Sequence, residues 1–411
     1  MLNHEQIHTS KTLTVAPFQV AALPRIVFGR GAFDDLVPAI AGYGREVLII
    51  TGGQSFPGSR HWSELQQRLQ QAGIVWHLER ISGEPSPEQV DAVVQRHGGR
   101  GIEVVLGIGG GSALDAGKAV AGLLPCQRPV RDFLEGVGEP ADYQGPSLPF
   151  IAVPTTAGTG SELTRNAVIT QAGEGGFKKS FRHDRLLPRL ALIDPVLLET
   201  CPARVMLANA LDAVTQLVES WVSTRASVLT DALAIDGLRA FARGFRPDLE
   251  DPVRDYSQLA YAAMISGICL TQAGLGSVHG FASPLGAFFS IPHGMACGTM
   301  LAACTEMNIR LLEARSPGHP ALRKYAQAWR ILSGAGSDST GSADALAAEP
   351  MYLASLFHEW TSVCRVPRLS ELGVRVTDFP RIVAASGGNS MKTNPLVLDA
   401  GELETLLRQR L

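Results

Sequence analysis

Two histidines and one aspartate in the second half of the chain have the clearest potential for chemistry. His279 lies in Leu275-Gly276-Ser277-Val278-His279-Gly280, and His293 follows fourteen positions later in Ile291-Pro292-His293-Gly294, in a segment short of charge. Upstream, Asp212 sits in Leu211-Asp212-Ala213-Val214-Thr215-Gln216, a carboxylate on an otherwise apolar stretch with helical spacing. Such a carboxylate needs a partner, because an unpaired charge is costly to bury. A divalent cation held by Asp212, His279 and His293 is one solution, since imidazole and carboxylate together suit iron or zinc. Hydrogen-bonded core histidines are the other. Spacing does not separate the two, because no local metal signature such as HExxH is present.

A second chemistry is written in two loops of the first half. The run Val104-Val105-Leu106-Gly107-Ile108-Gly109-Gly110-Gly111-Ser112-Ala113-Leu114-Asp115 reads as a buried strand entering glycines and then a helix. Glycine lets a ligand approach the backbone closely, and a helix N-terminus offers free N–H groups and a positive dipole end to an anion, so a diphosphate fits there. A ligand-free tight turn between strand and helix is the alternative. No Gly-Lys-Ser/Thr closes the loop, which excludes a Walker A site. The second loop, Pro154-Thr155-Thr156-Ala157-Gly158-Thr159-Gly160-Ser161-Glu162, presents hydroxyls after the next strong strand. It reads either as a turn rich in Ser and Thr capping a helix or as a ligand loop. Two such loops at the carboxyl ends of strands, where open α/β sheets place ligands, favour a nucleotide.

The elements that must position these groups divide the chain. Short β-rich runs at 25–28, 47–51, 75–78, 104–108, 150–153 and 190–193 alternate with helical patterns, among them Trp62-Leu65-Leu69 and Val90-Val93-Val94. That alternation predicts a parallel sheet covered by helices, a Rossmann-like α/β nucleotide-binding domain over residues 1–194. From 195 to 411 the pattern is helical, with long periodic segments at 207–224, 229–241, 255–272 and 295–310 and an exposed loop over 334–344. This predicts an all-helical C-terminal domain carrying the metal and catalytic groups.

Composition sets the bounds. The chain of 411 residues has 36 Lys+Arg against 39 Asp+Glu, a net charge of −3, with 45% hydrophobic residues and 18% charged. This balance is that of a globular protein with a large core and argues against a nucleic-acid partner, which usually meets a basic face. No apolar run reaches the roughly 18 to 20 residues of a membrane span, and Met1 to Thr9 is polar, so a cytoplasmic protein with no membrane partner is expected. The six cysteines form no CxxC pair and read as reduced core thiols.

Taken together these motifs resemble the iron-dependent (group III) alcohol dehydrogenase family. The resemblance rests on Arg25-Ile26-Val27-Phe28-Gly29, Gly109-Gly110-Gly111-Ser112 with Asp115 and Lys118, Pro154 to Glu162, Leu192-Ile193-Asp194-Pro195, Leu211-Asp212-Ala213, Val278-His279-Gly280, Pro284-Leu285-Gly286, Pro292-His293-Gly294 and Thr393-Asn394-Pro395. It implies a two-domain enzyme with its active site in the interdomain cleft. In that likeness Gly109, Gly110, Gly111, Ser112 and Asp115 hold the diphosphate, Thr155, Thr156 and Thr159 the nucleotide nearer the reacting ring, and Lys178 the nicotinamide ribose. The family metal, Fe(II) or Zn(II), is held by one aspartate and three histidines.

The chain departs from the family pattern at several positions. One turn after Asp212 the family has a histidine, and here stands Gln216, whose amide oxygen can coordinate but is neutral. Three outcomes stay open: a site of Asp212, Gln216, His279 and His293, a weaker three-ligand site, or an enzyme without metal. A second departure is Ser283, where many members carry a cleft histidine thought to relay protons; His279, His293, Ser283 or water take that role here. After the second strand, Gly52-Gly53-Gln54 replaces an aspartate that accepts from the adenosine ribose, which permits NADP besides NAD and tilts the expectation toward NADP. Finally, Phe177 to His183 is a basic cluster in which Lys179 or Arg182 meets either an anionic substrate group or the cofactor phosphates, unless it is a solvated hairpin.

The function expected is hydride transfer between NAD(P)(H) and a small alcohol or aldehyde in a homo-oligomer, a dimer or larger. The alternatives are a metal-free reductase of an anionic carbonyl compound, such as a maleylacetate-, phosphonate- or sulfonate-aldehyde-like substrate, and a catalytically silent nucleotide-binding homologue.

Overall fold

The computed structural model describes residues 15–138, 141–173, 175–335 and 349–411. The polar stretch Met1 to Thr9 and most of the predicted 334–344 loop lie outside them. Six strands form one parallel sheet: β1 (Arg25–Phe28), β2 (Glu46–Thr51), β3 (Val75–Arg80), β4 (Val104–Gly109), β5 (Phe150–Pro154) and β8 (Leu190–Ile193), in the order β1-β8-β5-β4-β2-β3. The four interior strands β8, β5, β4 and β2 are buried along almost their whole length because helices cover both faces. On one face, α1 (Leu36–Ala41) and α2 (Arg60–Gln71) bury Leu36, Ile40, Trp62, Leu65 and Leu69 against Val47, Ile49 and Leu106. On the other, α3 (Pro87–His97) and α4 (Gly111–Leu123) bury Val90, Val93, Val94 and Val120 against Leu48, Ile50 and Val105. The 3.6-residue period of α2 and α3 thus marks their sheet-facing stripes.

A two-stranded antiparallel hairpin, β6 (Asn166–Gln171) and β7 (Phe177–Arg182), stands apart from this sheet, with Ile169 opposite Lys179. The basic cluster is therefore a strand, and its alternation sends Lys178, Ser180 and Arg182 to one side and Lys179 to the other.

After β8 the described residues are helical: α5 (Ala203–Val222), α6 (Val228–Gly244), α7 (Tyr256–Ala273), α8 (Ser277–Phe289), α9 (His293–Arg315), α10 (Pro320–Ser333), α11 (Met351–Val363), α12 (Phe379–Ala385) and α13 (Ala400–Arg410). α5 is buried along most of its length, packed by α6, α7 and α9, with Leu211, Val214, Leu217, Val218 and Trp221 in one apolar cluster with Leu259, Ile265 and Leu301. No single helix of the described residues is long and apolar enough to cross a membrane; α7 and α8, apolar over their combined length, meet at 100°.

Close backbone contact joins the helical half to the second loop. Gly160 has φ +61°, and a Cβ there would lie 2.4 Å from Cα of Gly267 on α7. Gly294 likewise lets the start of α9 rest on α5, since its Cβ would stand 2.3 Å from the carbonyl oxygen of Ala208. The second contact carries His293 toward Asp212, one turn further along α5.

Candidate active site

The two loops meet at the carboxyl ends of β4 and β5. The Thr155 amide donates to the Gly109 carbonyl at 3.0 Å. Ser161 Oγ donates to Asp115 Oδ1 at 2.5 Å, and Lys118 Nζ stands 2.9 Å from the same oxygen. Lys118 is fully buried and spends its protons on the Ser161 carbonyl, Thr164 Oγ1 and the Asn166 carbonyl, so it ties α4 to the second loop. Burial lowers its pKa, and Asp115 opposes that shift.

Gly111, Ser112, Asp115, Thr159 and Lys178 line a cavity of about 240 Å³ that continues to Gln216, His279, Ser283 and His293. Gly109, Gly110, Thr155 and Thr156 form the loop ends beside it without lining it, and Gly52, Gly53 and Gln54 follow β2 outside it. The two loops and the histidines, far apart in sequence, thus open on one space. Ser180 and Arg182 line it too, whereas Lys179 is exposed on the other face of β7, which leaves Arg182 as the cavity-side member of that pair.

Lys178 is not a free cation. Its Nζ lies 2.5 Å from Glu84 Oε1, whose other oxygen accepts from Thr170 Oγ1 at 2.6 Å. Burial would raise the Glu84 pKa, and the Lys178 ammonium outweighs it and lowers it.

Behind the part of the cavity wall formed by His279 and His293, Asp212 converges with these two imidazoles. Asp212, on α5, is fully buried, with Oδ1 3.1 Å from His279 Nε2 and 3.8 Å from His293 Nε2. Burial works against the Asp212 carboxylate, but the two imidazoles hold its pKa down at about 2. His279, in the first turn of α8, is raised well above the ordinary range: burial opposes the imidazolium, and Cys297, Asp212 and Glu219 overcome that. His293, the first residue of α9, is pushed down to about 4 by burial and then by the Lys178 ammonium.

Two further residues belong to this centre that sequence reading did not single out. Glu219 lies seven residues after Asp212, on the same face of α5. Its carboxylate accepts from the amides of Gly276 (2.9 Å) and Val278 (2.7 Å), capping a helix that begins without a side-chain cap of its own, and Oε2 stands 2.6 Å from His279 Nδ1. Asn394 Oδ1 accepts from the next amide, Ser277, at 3.1 Å, which places the Thr393-Asn394-Pro395 motif at the foot of the same helix. Cys297 is one turn after His293 on α9, with Sγ 3.7 Å from His279 Nε2 and 3.9 Å from His293 Nε2. Burial pushes its thiol up to about 12. Both residues were within reach of i+4 and i+7 spacing; reading the cysteines as core thiols hid Cys297.

Gln216 lines the same cavity, but its amide is engaged elsewhere. Its Oε1 lies 2.9 Å from Ser266 Oγ, whose one proton it shares with the Ala263 carbonyl at 2.8 Å, and its Nε2 reaches the Thr159 carbonyl at 3.5 Å. It links α5 to α7 and to the second loop.

These residues fit a divalent cation. Asp212, His279, His293 and Cys297 each bring one ligand atom to within 4.8 Å of the others. Asp212 Oδ2 and His293 Nδ1 are buried without a hydrogen-bond partner, and a buried polar atom left unsatisfied calls for an explanation. A cation at the centre supplies one for the aspartate, and the carboxylate on Nδ1 of His279 is the outer partner that metal-bound histidines generally have.

Comparison with known proteins agrees. The profile of the iron-containing alcohol dehydrogenases matches residues 24–195, and that of the family's C-terminal part matches residues 206–411. The chain belongs to the iron-containing alcohol dehydrogenase family. Long-chain-alcohol dehydrogenase 1 of Geobacillus thermodenitrificans is 32% identical over 68% of this chain and 72% of its own. Lactaldehyde reductase of Escherichia coli is 28% identical over 88% of this chain and 92% of its own. The crystal structure of a 1,3-propanediol oxidoreductase superimposes with a TM-score of 0.81 at 27% identity, covering 96% of this chain and 100% of that one. As a member of this alcohol dehydrogenase family the chain is an oxidoreductase of alcohols and aldehydes, and the family uses NAD(P) with a divalent metal.

Proposed function

We propose that the chain interconverts a small alcohol and its aldehyde in the cavity between the nucleotide loops and the Asp212 centre, with a divalent ion held by Asp212, His279 and His293. The convergence of a buried carboxylate carrying an unpartnered oxygen with two imidazoles supports this most directly. When bound, the ion stabilises negative charge on the substrate oxygen, and the nicotinamide gives or takes the hydride.

The chain's own residues do the rest. Gly111 and the first turn of α4 face the cavity with the free amides of a helix N-terminus, a fit for the cofactor diphosphate. Lys178, steadied by Glu84, meets the nicotinamide ribose. Glu219 keeps the Nδ1 proton of His279 and turns Nε2 inward. Ser283, half-buried on the cavity wall, carries the proton to or from the substrate oxygen, while His293, which its depressed pKa keeps neutral at pH 7, offers the lone pair of Nε2 to the ion.

The finer assignments follow. NADP is preferred to NAD because Gly52 places no carboxylate after β2, where an acid repels a 2′-phosphate. Iron or zinc suits the donor set better than magnesium does. The nucleotide-binding unit is 1–194 and the helical unit 195–411. The free cysteines suit the reducing cytoplasm, and the enzyme is a homo-oligomer. A small substrate suits the cavity, and two of the relatives are named for short hydroxylated compounds, lactaldehyde and 1,3-propanediol, whereas the Geobacillus relative is named for long-chain alcohols.

The test mixes purified protein with NADPH or NADH and a panel of short aldehydes, with and without added iron or zinc. Loss of reduced-cofactor absorbance that depends on the metal is the expected result. No consumption under any condition would sink the proposal.

A further inference from the structure

The divalent-ion reading leaves the fourth protein ligand to be found. Gln216 stands one turn after Asp212, but its Oε1 lies 2.9 Å from Ser266 Oγ and its Nε2 turns to the Thr159 carbonyl, so the amide braces α5 against α7 and the second loop. On the opposite wall α9 begins with His293, and one turn later presents Cys297 on the same face. We propose that Cys297 Sγ is the fourth ligand, making an Asp212-His279-His293-Cys297 set; the proposal rests on the divalent-ion reading above.

The distances carry it. A tetrahedral ion with ligand bonds of about 2.0 to 2.3 Å holds its donor atoms roughly 3.3 to 3.8 Å from one another. Cys297 Sγ lies 3.7 Å from His279 Nε2 and 3.9 Å from His293 Nε2. The aspartate makes the matching edges, 3.1 Å to His279 and 3.8 Å to His293. These separations scatter around tetrahedral edge lengths before any ion draws the donors together. Cys297 has no exposed surface, and at the edge of the apolar cluster that α8 and α9 share its sulfur stands beside two imidazoles. The second, independent sign is Asp212 Oδ2, buried and unpartnered beside the same group of atoms. A coordinating thiol binds as the thiolate.

The consequence is a softer site than one completed by an amide oxygen. Thiolate favours zinc, cobalt and iron over magnesium and manganese, so the exchange of ligand position, from α5 to α9, shifts which metal the chain retains.

Cobalt(II) tests this without reference to turnover. The purified enzyme is stripped with a chelator and reloaded with one equivalent of Co(II) under argon. The near-ultraviolet absorption then reports a thiolate-to-cobalt charge-transfer band, and X-ray absorption at the cobalt edge reports one sulfur at about 2.3 Å. Wild type and Gln216→Ala are expected to show both signals. Cys297→Ser is expected to lose them and to bind cobalt at least about 10-fold more weakly. Cobalt bound by wild type with neither signal overturns Cys297 as a ligand and leaves the metal site standing. Persistence of the band in Cys297→Ser overturns it equally. Failure of the wild type to take up any cobalt overturns the metal site and this proposal together. The wild-type spectra decide even if the serine variant does not fold.

Discussion

Glu219 Oε2 stands 2.6 Å from Nδ1 of His279, while Nε2 of the same ring faces Asp212 at 3.1 Å. One carboxylate therefore fixes which nitrogen keeps its proton, and the other shares the inward nitrogen with the site. Glu219 also caps α8 through two backbone amides, so the ring's orientation and its helix's start depend on a single side chain.

Glu219→Gln keeps the shape and removes the charge. Metal affinity is expected to fall about 10- to 100-fold, the usual cost of losing an outer-shell carboxylate, and α8 to loosen as its cap weakens. Competition against a chromogenic chelator measures the first effect, and unchanged affinity would remove Glu219 from the metal's outer shell.

Gly52 offers a clean change of cofactor preference. Nothing lies within 4 Å of a Cβ placed there, so the Cβ of Gly52→Asp enters open space. NADPH affinity is expected to fall more than NADH affinity, because the new charge repels a 2′-phosphate. Fluorescence titration of both cofactors decides, and equal losses would place Gly52 away from the adenosine ribose.

Glu162 gives a pH signature to the second loop. Burial lifts its carboxyl from an ordinary 4.5 to about 7, with Lys118 only partly opposing the shift. The folded chain thus binds more protons than the unfolded chain between these values. The stabilisation is complete below about pH 4.5 and is lost as pH rises through about 7, at no more than about 1.4 kcal/mol per pH unit. Glu162→Gln is expected to flatten that slope in urea unfolding at stepped pH. An unaltered slope would assign the proton elsewhere.

Much of this architecture was legible in the residues. The β-rich runs at Val47, Val104 and Phe150 became β2, β4 and β5 within a residue or two, because strands buried on both faces are apolar throughout. Trp62, Leu65 and Leu69 marked the covered stripe of α2. Asp212, His279 and His293 meet, and a carboxylate inside an apolar stretch of helix signalled that it had to meet something. What could not be read from local pattern were pairings across long separations. Lys178 finds Glu84 from ninety-four residues away, and nothing in Phe177 to His183 announces it. Gln216 looked like a weakened ligand, and only the approach of α7 shows its oxygen beside Ser266. Glu219 and Cys297 obey helical spacing from known site residues, yet which face of α5 and α9 turns inward is set by packing of helices that no local window contains.

In the proposed function a metal at the Asp212 centre is required for NAD(P)H-dependent aldehyde reduction. Elemental analysis and reduced-cofactor oxidation on the same sample, before and after exhaustive chelation, test it most directly, with His293→Ala alongside. One divalent ion per chain, turnover lost on chelation and restored by iron or zinc, and both absent in the variant is the predicted result. Full turnover by metal-free protein would contradict it.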